Sequence, residues 1–196
     1  MFAQLAVVPF ALAALASAMP AARQTSTCKP GFVDGVYNVL LSENPTLGWE
    51  HNENSVGPAD VELVRISNLT APTATWFVWP NNGSSPDWTF STAKFTRLDT
   101  CILAPANHET PAPMTTGPCI DLSTGFGVGE SVFSLECDVC LDGFVGGKGC
   151  VLTMDWIGDV CPSTPPKNDY SDLVTLSQCG GYRNRANVKW DIQLAA

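Results

Sequence analysis

Positive charge is scarce in this chain of 196 residues: ten Lys and Arg stand against nineteen Asp and Glu, for a net charge of −9. Proteins that hold a phosphate backbone do so with clustered Lys and Arg, so the composition argues against a nucleic-acid partner. Charge of either sign is thin as well, 15% of residues against a usual quarter or so, and paired-carboxylate chemistry has correspondingly few candidates. Histidine is nearly absent. His51 and His108 lie far apart, with no His-x-x-x-His or His-Glu-x-x-His pattern at either, so neither a metal centre nor a Ser-His-Asp site is supported. There is no Gly-x-Ser-x-Gly elbow and no phosphate-cradling glycine loop. The expectation is no metal and no cofactor.

Long apolar runs are missing too, except at the start. Leu5 to Ala16 is an apolar stretch of twelve, followed by the small-x-small triplet Ala16-Ser17-Ala18. Spanning a hydrocarbon core of roughly 30 Å takes about 20 residues, so this stretch is too short to cross but suits a signal peptide. No Lys or Arg precedes it. The expected organisation is a signal peptide over 1–18, an N-terminal extension over 19–32 and one domain over 33–196, with extracellular location and no membrane span. A domain of that length can bury one core.

What the chain does have is cysteine, in even number: Cys28, Cys101, Cys119, Cys137, Cys140, Cys150, Cys161 and Cys179. In an oxidising compartment these pair as disulfides, in a connectivity that sequence alone leaves open. Cys137-Asp-Val-Cys140 has the spacing of a redox or half-zinc site. A secreted chain with six further cysteines and no second such motif favours structural bonds there. Two sequons, Asn68-Leu-Thr70 and Asn82-Gly-Ser84, mark surface positions open to glycosylation.

Apolar residues recur with period two in short stretches: Val61–Ile66, Trp76–Trp79, Val132–Leu135, Val174–Ser177 and Val188–Ile192. Turn-forming clusters separate them, among them Pro80-Asn-Asn-Gly-Ser-Ser-Pro86, Gly146-Gly147 and Pro162-Ser-Thr-Pro-Pro166. Nothing beyond the signal peptide sustains a helical period. The fold class read from this is all-β, a single disulfide-stapled domain of many short strands.

Internal echoes add a repeat. Cys101 to Cys119, Cys119 to Cys137 and Cys161 to Cys179 each span eighteen positions. Trp88-Thr-Phe90 and Trp190-Asp-Ile192 share the form Trp-polar-apolar, which Trp76-Phe-Val78 approximates. At these residues the chain resembles the ricin-B-like β-trefoil lectins, whose repeat opens Cys-Leu-Asp-Val and closes on Val-x-Leu-x-x-Cys and then Gln-x-Trp-x-apolar. Cys119-Ile-Asp121-Leu122 resembles the opening, as Cys101-Ile-Leu-Ala104 does in an alternative register. Val174-Thr-Leu176-Ser-Gln-Cys179 resembles the middle, and Val188-Lys-Trp190-Asp-Ile192 the close. Gly35-Val-Tyr37 with Gly48-Trp-Glu-His51 is similar to a first repeat.

The resemblance implies a β-trefoil-like fold with pseudo-threefold repeats, and binding of a glycan or cell-wall polysaccharide without catalysis. It gives Asp121 the role of the carboxylate that accepts sugar hydroxyls by charge-assisted hydrogen bonds. An aromatic platform for the sugar's C–H face would come from Phe126, Trp156 or Tyr170, each in a loop-like stretch after a cysteine. The strand tryptophans 76, 88 and 190 read as core. Two other classes stand beside this one. The same scaffold could serve as a structural or interaction protein, an effector or inhibitor, with no sugar pocket. A small glycoside hydrolase could draw its carboxylates from Glu109, Asp121, Glu130, Glu136 and Asp155.

Overall fold

The computed structural model describes residues 27–51, 59–80, 87–93, 100–103, 111–119, 132–154, 160–164, 173–179 and 188–195. Among them there is no α-helix, and the chain is all-β, as its period-two pattern implies. Six strands form the frame: β1 (Val36–Leu41), β4 (Trp76–Pro80), β5 (Trp88–Thr92), β9 (Val132–Glu136), β11 (Gly146–Thr153) and β14 (Trp190–Leu194). β1 pairs with β4, β4 with β5, β5 with β9, β9 with β11, β11 with β14, and β14 again with β1, all antiparallel. The ladder therefore closes on itself, which removes the open edges that make sheets prone to associate.

Alternation decides what fills the ring. On each strand every second residue points inward, and the inward positions carry bulky apolar groups. Three cross-strand rungs, Val39–Ile192, Val78–Phe90 and Leu135–Leu152, join neighbouring strands, and all six residues are buried. Three more, Tyr37–Trp76, Trp88–Phe133 and Cys150–Trp190, sit at corresponding places. Trp76, Phe133 and Trp190 are fully buried there, so two of the three expected core tryptophans lie on closing strands. Trp88, whose Trp-Thr-Phe motif looks the same in sequence, stands on an opening strand instead and is only partly buried.

Between opening and closing strands the chain leaves the ring three times as a hairpin. These are β2 (Asn44–His51) with β3 (Val61–Arg65), β6 (Cys101–Leu103) with β8 (Thr115–Gly117), and β12 (Val160–Ser163) with β13 (Thr175–Gln178). The hairpins meet in a cyclic set of backbone bonds: Val61 N–H donates to Met114 O at 2.8 Å, Met114 N–H to Val174 O at 2.8 Å, and Val174 N–H to Val61 O at 2.9 Å. The contacts around them repeat in the same sense, Asp60 with Thr115, Pro113 of β7 (Ala112–Pro113) with Thr175, and Leu173 with Glu62. Val61, Met114 and Val174 are fully buried. One unit, strand–hairpin–strand, is thus built three times from sequences that share little.

All eight cysteines are paired, as expected of the composition: Cys28–Cys140, Cys101–Cys119, Cys137–Cys150 and Cys161–Cys179. Two of the three eighteen-residue intervals are bonds, and the interval from Cys119 to Cys137 is not. The Cys137-x-x-Cys140 pair is split between two bonds, Cys140 reaching back 112 positions to Cys28 and Cys137 joining Cys150 13 positions on. Residues 27–33 run across the β9 and β11 ends. Cys28 exchanges backbone hydrogen bonds with Cys137 at 2.9 and 2.8 Å, Gly146 N–H donates to Gly31 O at 3.1 Å, and Phe32 bridges to Val145. The Phe32 ring meets Tyr37 and Trp88 edge-on, with centroids 5.1 and 4.6 Å apart. β10 (Val139–Cys140) pairs with the start of β11 beneath this strap. Gly146-Gly147, which reads as a turn in the sequence, opens β11. Gly146 has φ +109°, and a Cβ there would lie 2.0 Å from Ile192 O, so the strand can start at this close approach only without a side chain.

Candidate functional site

The repeat defines equivalent positions, and these locate the site. Gly48 faces Val64, Cys101 faces Gly117, and Cys161 faces Ser177 across their hairpins. Two residues beyond each partner come Ile66, Cys119 and Cys179. In the second and third hairpins the outer pair is a disulfide with a sequence separation of 18. In the first, Gly48 and Ile66 take the same places, and the Ile66 side chain covers the glycine. Cys101 therefore occupies the opening position of the second hairpin and Cys119 the closing one.

Two residues after each opening position stand Glu50, Leu103 and Ser163. The three hairpins differ chemically here. Ser163 Oγ lies 2.8 Å from Ser177 Oγ and 3.2 Å from Thr175 Oγ1, so the third forms a partly buried hydroxyl cluster satisfied within itself. Leu103 sits opposite Thr115 and offers only apolar surface. Glu50 sits opposite Glu62, both half-buried. Side chains directly opposed in an antiparallel pair have Cβ atoms about 5 Å apart, so two carboxyl groups share one face.

Glu50 is positioned. Thr73 Oγ1 donates to Glu50 Oε1 at 2.7 Å, and His51 N–H donates to Thr73 O at 2.8 Å. Thr73 is buried, on a loop braced from beneath by the buried Asn38, whose Nδ2 donates to Leu69 O at 2.8 Å and Ala74 O at 3.0 Å. Thr75 Oγ1 closes the loop onto Ala71 O at 3.1 Å. The arrangement presents acceptor oxygens on a rigid base, which suits hydroxyl-rich ligands, since preorganised groups lose little entropy on binding. Among the described residues no group of three or more His, Cys, Asp or Glu could hold a metal ion.

Asp121, Phe126, Trp156 and Tyr170 lie outside the described residues, as do Asn82, Glu109, Glu130 and Asp155. Glu136 is exposed on β9, opposite Val151. The Glu50–Glu62–Thr73 constellation escaped the sequence reading. A further eighteen-residue interval, Gly48 to Ile66, could have revealed it, but it carries no cysteine at either end.

No family model matches the chain, and no curated relative does. Solved structures share its fold at low identity. The cytolethal distending toxin of Haemophilus ducreyi matches with a TM-score of 0.55 and 14% identity, over 83% of this chain and 84% of that one. An arabinofuranosidase complexed with arabinofuranosyl-α-1,2-xylobiose matches with a TM-score of 0.57 and 14% identity, over 86% of this chain and 33% of its own. The Polyporus squamosus lectin, bound to the epitope Neu5Acα2-6Galβ1-4GlcNAc, matches with a TM-score of 0.53 and 13% identity, over 82% of this chain and 49% of that one. The chain thus spans a third of the hydrolase and half of the lectin. What it shares with all three is the all-β architecture.

Proposed function

We propose that the chain is a secreted β-trefoil of the ricin-B-like kind that binds carbohydrate on its hairpin surface and carries out no chemistry on it. The observation that carries this reading is the cyclic bonding of Val61, Met114 and Val174, which makes three hairpins around a closed ring of six strands. The likeness to a lectin adds to it. Four disulfides and the signal-like start support passage into an oxidising compartment. In this reading Glu50, held by Thr73, is the carboxylate of the first repeat; Asp121 follows the closing Cys119 and so is not the second repeat's equivalent of Glu50, but with Phe126, Trp156 or Tyr170 it supplies a separate recognition surface. A glycan array with the disulfide-intact protein tests it. Binding should appear and weaken at least tenfold in Glu50→Gln or Asp121→Ala. A silent array would overturn the reading in favour of a structural or interaction protein.

One observation favours a second reading, a small glycoside hydrolase. Glu50 and Glu62 stand directly opposite each other, and retaining hydrolases place their carboxyl groups about 5 Å apart. Release of reducing ends from a polysaccharide, abolished in both Glu50→Gln and Glu62→Gln, would establish it. Binding without turnover would dismiss it.

A further inference from the structure

We infer that Asn68 is a site of N-linked glycosylation, modified as the chain passes through a secretory pathway. Asn68-Leu69-Thr70 has the acceptor pattern, and all three residues are exposed at the tip of the loop that follows β3. The side chain is already in a reactive arrangement. Asn68 Oδ1 accepts from Thr70 N–H at 3.0 Å and from Thr70 Oγ1 at 2.8 Å. Both donors are bound to the carboxamide oxygen, which leaves Nδ2, the atom that takes the sugar, without a partner among the described residues. They also draw electron density toward Oδ1, which loosens the N–H protons.

The rest of the turn needs little of the fold. Ala71 N–H donates to Asn68 O at 3.1 Å, so the bonds that Asn68 itself makes all lie within three residues of it. A nascent chain can form this turn before its ring has closed. The finished fold then tolerates the product, because Asn38 holds Leu69 O from the buried side and the turn points outward. In the transfer itself, Nδ2 attacks the anomeric carbon of an oligosaccharide carried on a lipid diphosphate. The new C–N bond replaces the sugar–phosphate bond, the diphosphate leaves, and one amide proton goes to a base of the transferase. Leu69, 42% exposed, would lie beneath the first sugars, whose C–H faces pack on apolar groups.

The inference depends on secretion and not on lectin activity. Its test is expression of the full chain in a eukaryotic secretory host, then peptide-N-glycosidase digestion of the secreted protein in ¹⁸O water and peptide mapping. Labelled aspartate should replace Asn68 in most molecules. Asn68→Gln and Thr70→Ala should abolish the label, while Thr70→Ser, which keeps the hydroxyl, should retain it. Thr70 is exposed and holds no core contact, so loss in the alanine variant with no free thiol detected reports the acceptor and not the fold. An unlabelled Asn68 in the wild-type protein, or a label that survives Thr70→Ala, would overturn the inference.

Discussion

At the scale of single residues, burial and hydrogen bonding decide which of several similar side chains matter. Trp76 Nε1 donates to Trp49 O at 3.3 Å and Trp190 Nε1 to Pro162 O at 3.1 Å. Trp49 and Pro162 each follow an opening position, so this is one interaction made twice; in the second repeat Phe133 keeps the ring and drops the donor. Tyr37 is the residue whose chemistry the fold alters. Its hydroxyl donates to Val33 O at 2.9 Å and accepts from Val33 N–H at 3.0 Å. Burial pushes the phenol above its ordinary 10.0; the Val33 N–H pulls it down, and the Asp34 carboxylate raises it further. The folded chain therefore holds this proton to higher pH than the unfolded chain does. The stability so contributed is complete below the unfolded value and drains away as pH rises past it toward the folded one. Thermal unfolding followed through that alkaline range should show a falling Tm in the native sequence. In Tyr37→Phe that fall should flatten, while about 1 kcal/mol is lost near neutrality, from the Val33 bonds. An alkaline slope identical in both proteins would refute the assignment.

The element that best shows the relation of sequence to structure is the hairpin. Its Cys–Cys interval is legible in the second and third repeats, because cysteine is chemically conspicuous and a covalent bond fixes register. A loop of about 18 residues closed in this way gains roughly 3 kcal/mol in the chain-entropy model. In the first repeat the same two places hold Gly48 and Ile66, which carry no such mark. Alternation gave β3, β4, β9 and β14 to within two residues. Cys150-Val-Leu152 reads as part of an apolar strand, but the start of β11 is hidden because Gly146-Gly147 has the composition of a turn; the positive φ of Gly146 and the approach of Ile192 O explain glycine there. Alternation missed the Glu50–Glu62 pair because cross-strand register is set by distant pairing. The first hairpin's lack of a staple has a geometric cause. β1 and β2 shift register between Leu40 and Leu41, and a Cβ on Gly48 would lie 2.8 Å from Val39 O. Backbone cannot yield as a side chain can. Gly48→Ala should therefore cost about 1–3 kcal/mol in denaturant unfolding, although both equivalent residues are larger. A neutral alanine variant would show that the strand simply shifts. Removing the staple in Cys161→Ala/Cys179→Ala should cost about 2–5 kcal/mol.

Over the whole molecule, the ring is closed at its two ends by different means. Hairpins meeting through backbone bonds seal one end, so that end is fixed by topology and needs no particular side chains beyond buried Val61, Met114 and Val174. The other end is sealed by the strap at residues 27–33, which belongs to no repeat and depends on Phe32 seated between Tyr37 and Trp88 and on Cys28–Cys140. The four disulfides are not equally sheltered. Cys137–Cys150 and Cys161–Cys179 are formed by fully buried cysteines, and Cys101–Cys119 has one buried partner, whereas Cys28 and Cys140 are both partly exposed. Exchange needs a thiolate to reach a sulfur along the S–S axis, so access orders the rates. Mild reduction in native buffer, quenched by alkylation and mapped by mass spectrometry, should label Cys28 and Cys140 first. The far-ultraviolet signature of the ring should stay intact at that stage, because the ring's ladder does not pass through the strap. Release of the strap uncovers Tyr37 and Trp88, so binding of an apolar dye and a shift in tryptophan emission should accompany the first alkylation. If Cys161 and Cys179 react as early as Cys28, or if the strand signal collapses with the first bond broken, the strap is part of the ring's own stability and the two ends are not independent.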